Sequence, residues 1–364
     1  MRTKLPVEFN EPEWLKNKND RFSDFLFTKL KFLTKAILKK RTILILFSAF
    51  LLYIILIDVE FDEIINSMKN ADIWLLILAF SFHSIGLTIS AYRWRLLLKS
   101  VKINSSLFQL IKSYLVAIFF NHFIPSTIGG DGVRAYDSYK LSSSKSKGLS
   151  VIMVDRFLGL LALLGFVLIS TFFSIEITHK IPNLEIILFF VTLAAGITIY
   201  LMLYPPIKIF EKLNNSKIKT IQRAGDIFLK LGKSFTQLGS KKKTLFYALS
   251  LSFLLQANVI LYYYIISKAL GFDIHIINFS LIIPLTIFIS MFPLSVNGIG
   301  IRENALFFFF SFFGVAKSQA IAFAWIEFGM LLLLGIVGGI VYAFRKYDKQ
   351  SVTKNNGLLN TNEV

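Results

Sequence analysis

The chain has 364 residues, 55% of them hydrophobic, with no cysteine and a formal net charge of +18 at pH 7. The missing cysteines exclude disulfides, thiolate metal sites and cysteine nucleophiles. Several apolar stretches near the roughly 20 residues of a bilayer crossing argue against a soluble domain. The basic residues fall in the gaps between them, where positive-inside orientation and anionic headgroups explain the charge better than nucleic acid does.

Residues 1–41 form a basic N-terminal segment. Within it Phe22, Phe25, Leu26, Leu30, Leu33 and Ile37 recur at helical spacing among lysines, which predicts an interfacial amphipathic helix. No short apolar core with a small-residue cleavage site is present, so no removable signal peptide is expected. The first membrane half, 42–204, opens with a short span at 42–57 that runs into Asp58, Glu60, Asp62 and Glu63. Lysine before the span and acid after it put the N-terminus in the cytoplasm. A second span at 73–92 ends inside at Arg93, Arg95, Lys99 and Lys102, and further spans follow at 157–175 and 184–204.

Residues 205–244 carry ten Lys or Arg against two acids and read as a basic cytoplasmic interfacial linker. Its Gly232-Lys233-Ser234 is not a phosphate-binding P-loop, because Ile227 stands where that motif needs glycine. The second membrane half, 245–345, has spans at 245–267 and 319–344, and the last runs into Arg345, Lys346 and Lys349. The tail, 346–364, is therefore cytoplasmic as well.

Two segments 168 residues apart share the skeleton P-x-x-x-x-G-x-G-[VI]-R: Pro125 to Arg134, and Pro293 to Arg302. Each ends an apolar run, where proline breaks a helix, glycine frees the backbone and arginine needs a use. Charge parity places both. Residues 103–148 must begin and end inside, or the ten-charge linker would lie outside, whereas residues 274–318 must begin and end outside. The expected fold is therefore all-α and polytopic, with about six full spans and two re-entrant broken-helix hairpins, at motifs 125–134 and 293–303, that dip from opposite faces. Such an inverted-topology repeat brings broken helices together near the midplane, where transporters bind substrate. The returning arm is polar in the first copy (Tyr136 to Lys140) and phenylalanine-rich in the second, so the first should face the interior.

Gly129, Gly130 and Gly132 precede Arg134, and Gly298 and Gly300 precede Arg302. A helix start at glycine offers free N–H groups to a phosphate, and arginine adds a bidentate clamp. The plainer reading is that the glycines permit close helix crossing and the arginines pair with acids. Asp131 would repel a phosphate unless it pairs with Arg134 or Arg156 or carries a coupled proton or cation. Asp155 and Arg156 are adjacent on a helix, point apart and need separate partners. Glu303 and Glu327 are the acids of the second half. Arg93, Trp94 and Arg95 read as interfacial anchors, and His83, His122, His179 and His275 lack metal-ligand spacing.

Arg93-Trp94, the GGDGVRAY core ending the first motif, Asp155-Arg156-Phe-Leu-Gly-Leu, and Asn297-Gly-Ile-Gly-Ile-Arg302-Glu303 together resemble the membrane region of lysylphosphatidylglycerol synthases. The resemblance covers about residues 40–345, and stand-alone relatives of this region are called flippase-like proteins. It implies movement of a phospholipid, glycolipid or polyprenyl-phosphate headgroup between leaflets, in a bacterial or archaeal plasma membrane. It does not imply lysyl transfer, because only about 20 residues follow the last span, too few for the synthases' soluble transferase domain. Gly130, Asp131, Arg134, Arg302 and Glu303 carry over as the phosphate-facing set.

A lipid translocase is thus the leading expectation. Membrane lipids, anionic or phosphate-bearing, are its partners; no catalytic residue, cofactor or metal is expected, and cell-envelope biosynthetic enzymes are candidate partners. The alternatives are a membrane glycosyltransferase that uses a lipid-linked sugar donor and the acids after the first span, or a membrane scaffold for cell-envelope synthesis.

Overall fold

A computed structural model describes residues 45–57, 59–123, 129–142, 145–174, 180–204, 206–216, 241–292 and 297–345, with isolated positions between them. The expected N-terminal amphipathic helix, Asp58, both motif prolines and the C-terminal tail lie outside the described residues. Those described form twelve α-helices and no strand. They are α1 (Ile45–Leu56), α2 (Phe61–Lys69), α3 (Ile73–Ser100), α4 (Leu107–Phe123), α5 (Gly129–Ser142) and α6 (Lys145–Phe173). Then follow α7 (Leu184–Leu203), α8 (Ile207–Asn214), α9 (Lys242–Ala269), α10 (Ile276–Ser290), α11 (Ile301–Ser311) and α12 (Lys317–Ala343).

Eight of the helices fall into two length classes, and the apolar α7, with 20 residues, lies between them. Helices α3, α6, α9 and α12 have 27 to 29 residues, about 40 Å at 1.5 Å per residue, which exceeds the roughly 30 Å hydrocarbon core. They are long and apolar enough to cross a membrane. Helices α4, α5, α10 and α11 have 17, 14, 15 and 11 residues, about 16 to 26 Å, too short to cross alone. Two long helices differ from expectation at their basic ends: α3 continues past residue 92 to Ser100, and α6 starts at Lys145, well before residue 157. Asp155 and Arg156 consequently sit inside a helix and not at its mouth.

The central pair is α3 and α9, packed antiparallel along their length. At one end the Asp72 N–H donates to the Ala269 carbonyl at 2.9 Å, while the Asp72 carboxylate caps α3 by accepting from the Trp74 and Leu75 N–H groups. At the other end Lys241 Nζ donates to the Ser100 carbonyl. Midway, Asn258 Nδ2 donates to the Phe82 carbonyl at 3.1 Å, the interhelical polar bond that replaces a hydrophobic drive in lipid.

The remaining contacts form an exchange pattern. If α1, α3, α4, α5 and α6 are matched in order with α7, α9, α10, α11 and α12, then α4 packs on α12 where α10 packs on α6. Likewise α7 packs on α6, while Ile55 of α1 packs with Ile321 and Ala322 of α12. Each half lays its first short helix on the long last helix of the other. Phe309 and Phe310 of α11 enter an apolar core with Phe272, Phe279 and Phe323. The polar α5 turns Arg134, Asp137 and Ser138 inward and leaves Tyr136 and Lys140 exposed.

Helix α4 meets α12 so closely that a Cβ on Gly338 would come within 1.9 Å of the Leu115 carbonyl oxygen. Gly338→Ala is expected to lower stability by about 1–3 kcal/mol through overpacking, read as a fall in the melting temperature of the detergent-solubilised protein. Gly196→Ala, on α7 with open space around it, should change stability by less than about 0.5 kcal/mol.

Candidate functional site

Asp155 of α6, 2% exposed, is shared by two arginines. Arg93 of α3 meets its Oδ1 through Nε at 2.7 Å, and Arg134 of α5 meets its Oδ2 through Nη2 at 2.8 Å. Each guanidinium is further engaged. Arg93 Nη1 donates to Ser252 Oγ of α9 at 2.7 Å, and Arg134 lies over the rings of Trp94 and Tyr114, 4.6 and 4.3 Å from their centroids. Tyr114 of α4 donates to Asp155 Oδ2 at 3.3 Å. Five helices thus converge on one carboxylate. One turn before Arg134, Asp131 lies 3.6 Å from its Nη1 and also pairs with Arg156.

The second half reverses the charges. Arg302 of α11 is held between Glu327 of α12, at 2.6 Å, and Glu303, at 3.2 Å. Glu303 also accepts from the Gly300 N–H at 2.6 Å, which closes the start of α11. Gly298 and Gly300 have φ of 78° and 83°, left-handed conformations that glycine adopts without a Cβ penalty. A Cβ on Gly300 would also come within 2.7 Å of Leu51 in α1.

Between the clusters lies a cavity of about 330 Å³, within the size range of small-molecule sites. Asp131, Arg134 and Glu327 line it together with Asn121, Asn258 and Tyr262. A second cavity, about 220 Å³, is lined by Arg302, Asn297 and Tyr263. The Arg302–Glu327 pair therefore stands between them, its carboxylate on one cavity and its guanidinium on the other.

Residues 42–339 match the family described as the lysylphosphatidylglycerol synthase TM region. The chain belongs to that family. The match and the apolar helices make it an integral membrane protein, and all eight charged residues of the two clusters fall within the matched region. It is similar to a UPF0104 membrane protein of Methanothermobacter thermautotrophicus, 26% identical over 319 residues, which cover 82% of this chain and 94% of that protein. A second UPF0104 membrane protein of the same organism is 24% identical, covering 83% of this chain and 94% of its own length. One from Methanocaldococcus jannaschii is 23% identical, with 87% and 98% covered.

In this family member the expected residues come together in unequal ways. Asp131, Arg134, Asp155 and Arg156 form one network, with the separate partners expected for the adjacent Asp155 and Arg156; Arg302 and Glu303 join the other. The glycines divide. The Gly130 N–H donates to Asn121 Oδ1 at 2.8 Å, and its missing Cβ admits the Ala117 carbonyl, so Gly130 serves helix contact instead of presenting a free donor. Gly129 and Gly132 sit within α5, and Gly132 has open space where a Cβ would be. Only the second copy places its glycines in a turn.

Arg93, read from sequence as an interfacial anchor, is a buried partner of Asp155. Arg93 lies seven residues, about 10 Å of helix, before α3 ends at Ser100, a depth that shows only once the helix end is known. Tyr114, Asn121, Asn258 and Tyr262 carried no signal in a single sequence. The Ile118 carbonyl accepts from His122 Nδ1–H at 2.9 Å, and the ring packs beside Phe328. Asp137, in the polar arm expected to face the interior, is buried, pairs with Arg345 at 2.8 Å and accepts from Ser113, tying α5 to the end of α12.

Asp155→Asn leaves two buried guanidiniums without their shared anion, and a loss of about 3–5 kcal/mol is expected in thermal or denaturant unfolding. Asp131→Asn should cost less than about 1 kcal/mol, because its partner Arg156 is 51% exposed and Arg134 keeps Asp155.

Proposed function

We propose that this protein is a lipid translocase: a polar crevice inside the bundle carries a phospholipid or glycolipid headgroup between leaflets while the tails stay in the bilayer. The observation that carries this reading is the cavity lined by Asp131, Arg134 and Glu327 among helices long and apolar enough to span a membrane. Charged groups at such depth are costly and mark substrate paths. The family's printed description, a transmembrane region of enzymes named for a phospholipid, agrees with a lipid-related role.

The packing exchange between the halves and the antiparallel α3–α9 pair support an inverted-topology repeat. In this reading α4 with α5, and α10 with α11, are the re-entrant hairpins, one from each face. The host is the plasma membrane, with both termini cytoplasmic. Arg134 meets the headgroup in the first cavity and Arg302 in the second, each by exchanging carboxylate partners, and Asp131, Asp155, Glu303 and Glu327 hold the guanidiniums between turnovers. Movement is downhill or coupled to an ion. Glu60, Asp62 and Glu63 are exposed and line none of the cavities described, so nothing here favours the glycosyltransferase alternative.

Purified protein in liposomes with fluorescent lipids should accelerate leaflet exchange, and Arg134→Ala or Arg302→Ala should lower the rate at least tenfold in monodisperse samples. Exchange unchanged by both substitutions would refute the site. Cysteines introduced into this cysteine-free chain at Asn104 and Ala316, both exposed, should label from opposite faces of the membrane. Labelling from one face would rule out the two-hairpin topology.

A further inference from the structure

The two clusters can be counted as charges. Arg93, Arg134, Arg156 and Arg302 supply four positive charges; Asp131, Asp155, Glu303 and Glu327 supply four negative ones. Among the described residues the network is electroneutral, and each of the four guanidiniums already contacts a carboxylate. Asp137 and Arg345, the pair beside it, cancel in the same way. No guanidinium in the network stands spare for an incoming anion.

This balance constrains what the cavity accepts. A headgroup with one net negative charge would leave that charge uncompensated in a medium of low dielectric constant, where an unpaired ion is strongly disfavoured. A headgroup with both a phosphate and an ammonium carries its own balance and needs only an exchange of partners. The lining offers both halves of that exchange. Arg134 lines the cavity and has a buried Nε–H without a hydrogen-bond partner, a donor that the phosphate takes once the guanidinium turns from Asp131. Asp131 and Glu327 present two carboxylates to the same cavity, and the Glu327 carboxylate is held there by tyrosine hydroxyls, Tyr262 reaching its Oε1 at a long 3.5 Å and Tyr263 beside it. An ammonium takes that oxygen. The excess of carboxylates over guanidiniums on the cavity wall, two against one, is the wrong sign for a bare anion and the right one for a zwitterion.

We propose that the headgroup carried is zwitterionic, with a phosphate and an ammonium, and that it moves without transfer of net charge. The proposal rests on the translocase reading and adds the substrate class. Electroneutral movement has a separate signature. A potential of 100 mV shifts the leaflet equilibrium of a singly charged species by about fiftyfold, and that of a neutral complex not at all.

The test uses the full-length protein in liposomes with one fluorescent acyl chain on two headgroups, phosphatidylethanolamine and phosphatidylglycerol, and dithionite quenching of the outer leaflet. The ethanolamine lipid should exchange at least tenfold faster than the glycerol lipid, with less than a twofold change under a 100 mV potassium diffusion potential. Equal or faster exchange of the anionic lipid would overturn the proposal, as would a rate for the ethanolamine lipid that follows the potential. Exchange of neither lipid would remove the translocase reading itself, and this proposal with it. Asp131→Asn raises the network charge by one and leaves the buried Asp155 pairs in place. It should shift the preference at least fivefold toward phosphatidylglycerol, and an unchanged ratio would count against charge balance as the selector.

Discussion

Asp155 shared between Arg93 and Arg134 is the interaction on which the rest of the interior depends. Each ion brought from water into a bundle bears a desolvation penalty of several kcal/mol, and one carboxylate cannot satisfy two guanidiniums by itself. The additional partners make the arrangement tolerable: Ser252 from α9, the Tyr114 hydroxyl from α4, and the faces of Trp94 and Tyr114 beneath Arg134. Because these groups come from α3, α4, α5, α6 and α9, the short polar α5 is docked by charge where α11 is docked by phenylalanine packing. Without the ion cluster, α5 would present a polar face with little apolar area to bury.

The two halves use one skeleton for opposite electrostatic ends. In the first, a carboxylate sits between two arginines; in the second, Arg302 sits between two carboxylates. The difference traces to single positions. Asp131 occupies the place that Ile299 holds in the second copy, and the second copy has Glu303 immediately after its arginine where the first has Ala135. The backbone differs too. The first glycines lie within α5, whereas Gly298 and Gly300 form a left-handed turn that delays the helix until Ile301. A duplicated motif has therefore become a donor-rich side and an acceptor-rich side facing each other across a cavity.

Much of the helix layout was legible because the bilayer writes it in hydropathy and charge. Long apolar runs, the acids after α1 and the basic gaps set the order of elements, and the repeated proline–glycine–arginine spacing singled out α5 and α11. The ends were less legible. Hydropathy stops at the first arginine, but α3 continues through Arg93 to Ser100 because Asp155 neutralises that arginine from another helix, a contact no window along the chain can register. The same blindness hid Arg93 as a site residue. The neutral lining, Asn121, Asn258 and Tyr262, was out of reach for a different reason: such residues in membrane helices serve helix contact as readily as ligands, and only their convergence on one cavity separates the two.

Shared partners also decide how such an interior can move. A guanidinium with one counter-ion must pass through an uncompensated state before it finds another, and in hydrocarbon that state is a high barrier. Arg134 has two acids, Asp155 and Asp131, and Arg302 has two, Glu327 and Glu303. Either can slide from one carboxylate toward the other without becoming bare. Asp131 differs from the rest in reaching Arg156, a half-exposed residue outside the buried core of the network. Release of Asp131 is therefore the least costly rearrangement in the network, and it frees a carboxylate on the cavity wall while Arg134 keeps Asp155. The fixed Asp155 core preserves the fold, and the looser Asp131 contact is where an entering headgroup first meets a charge able to change partners.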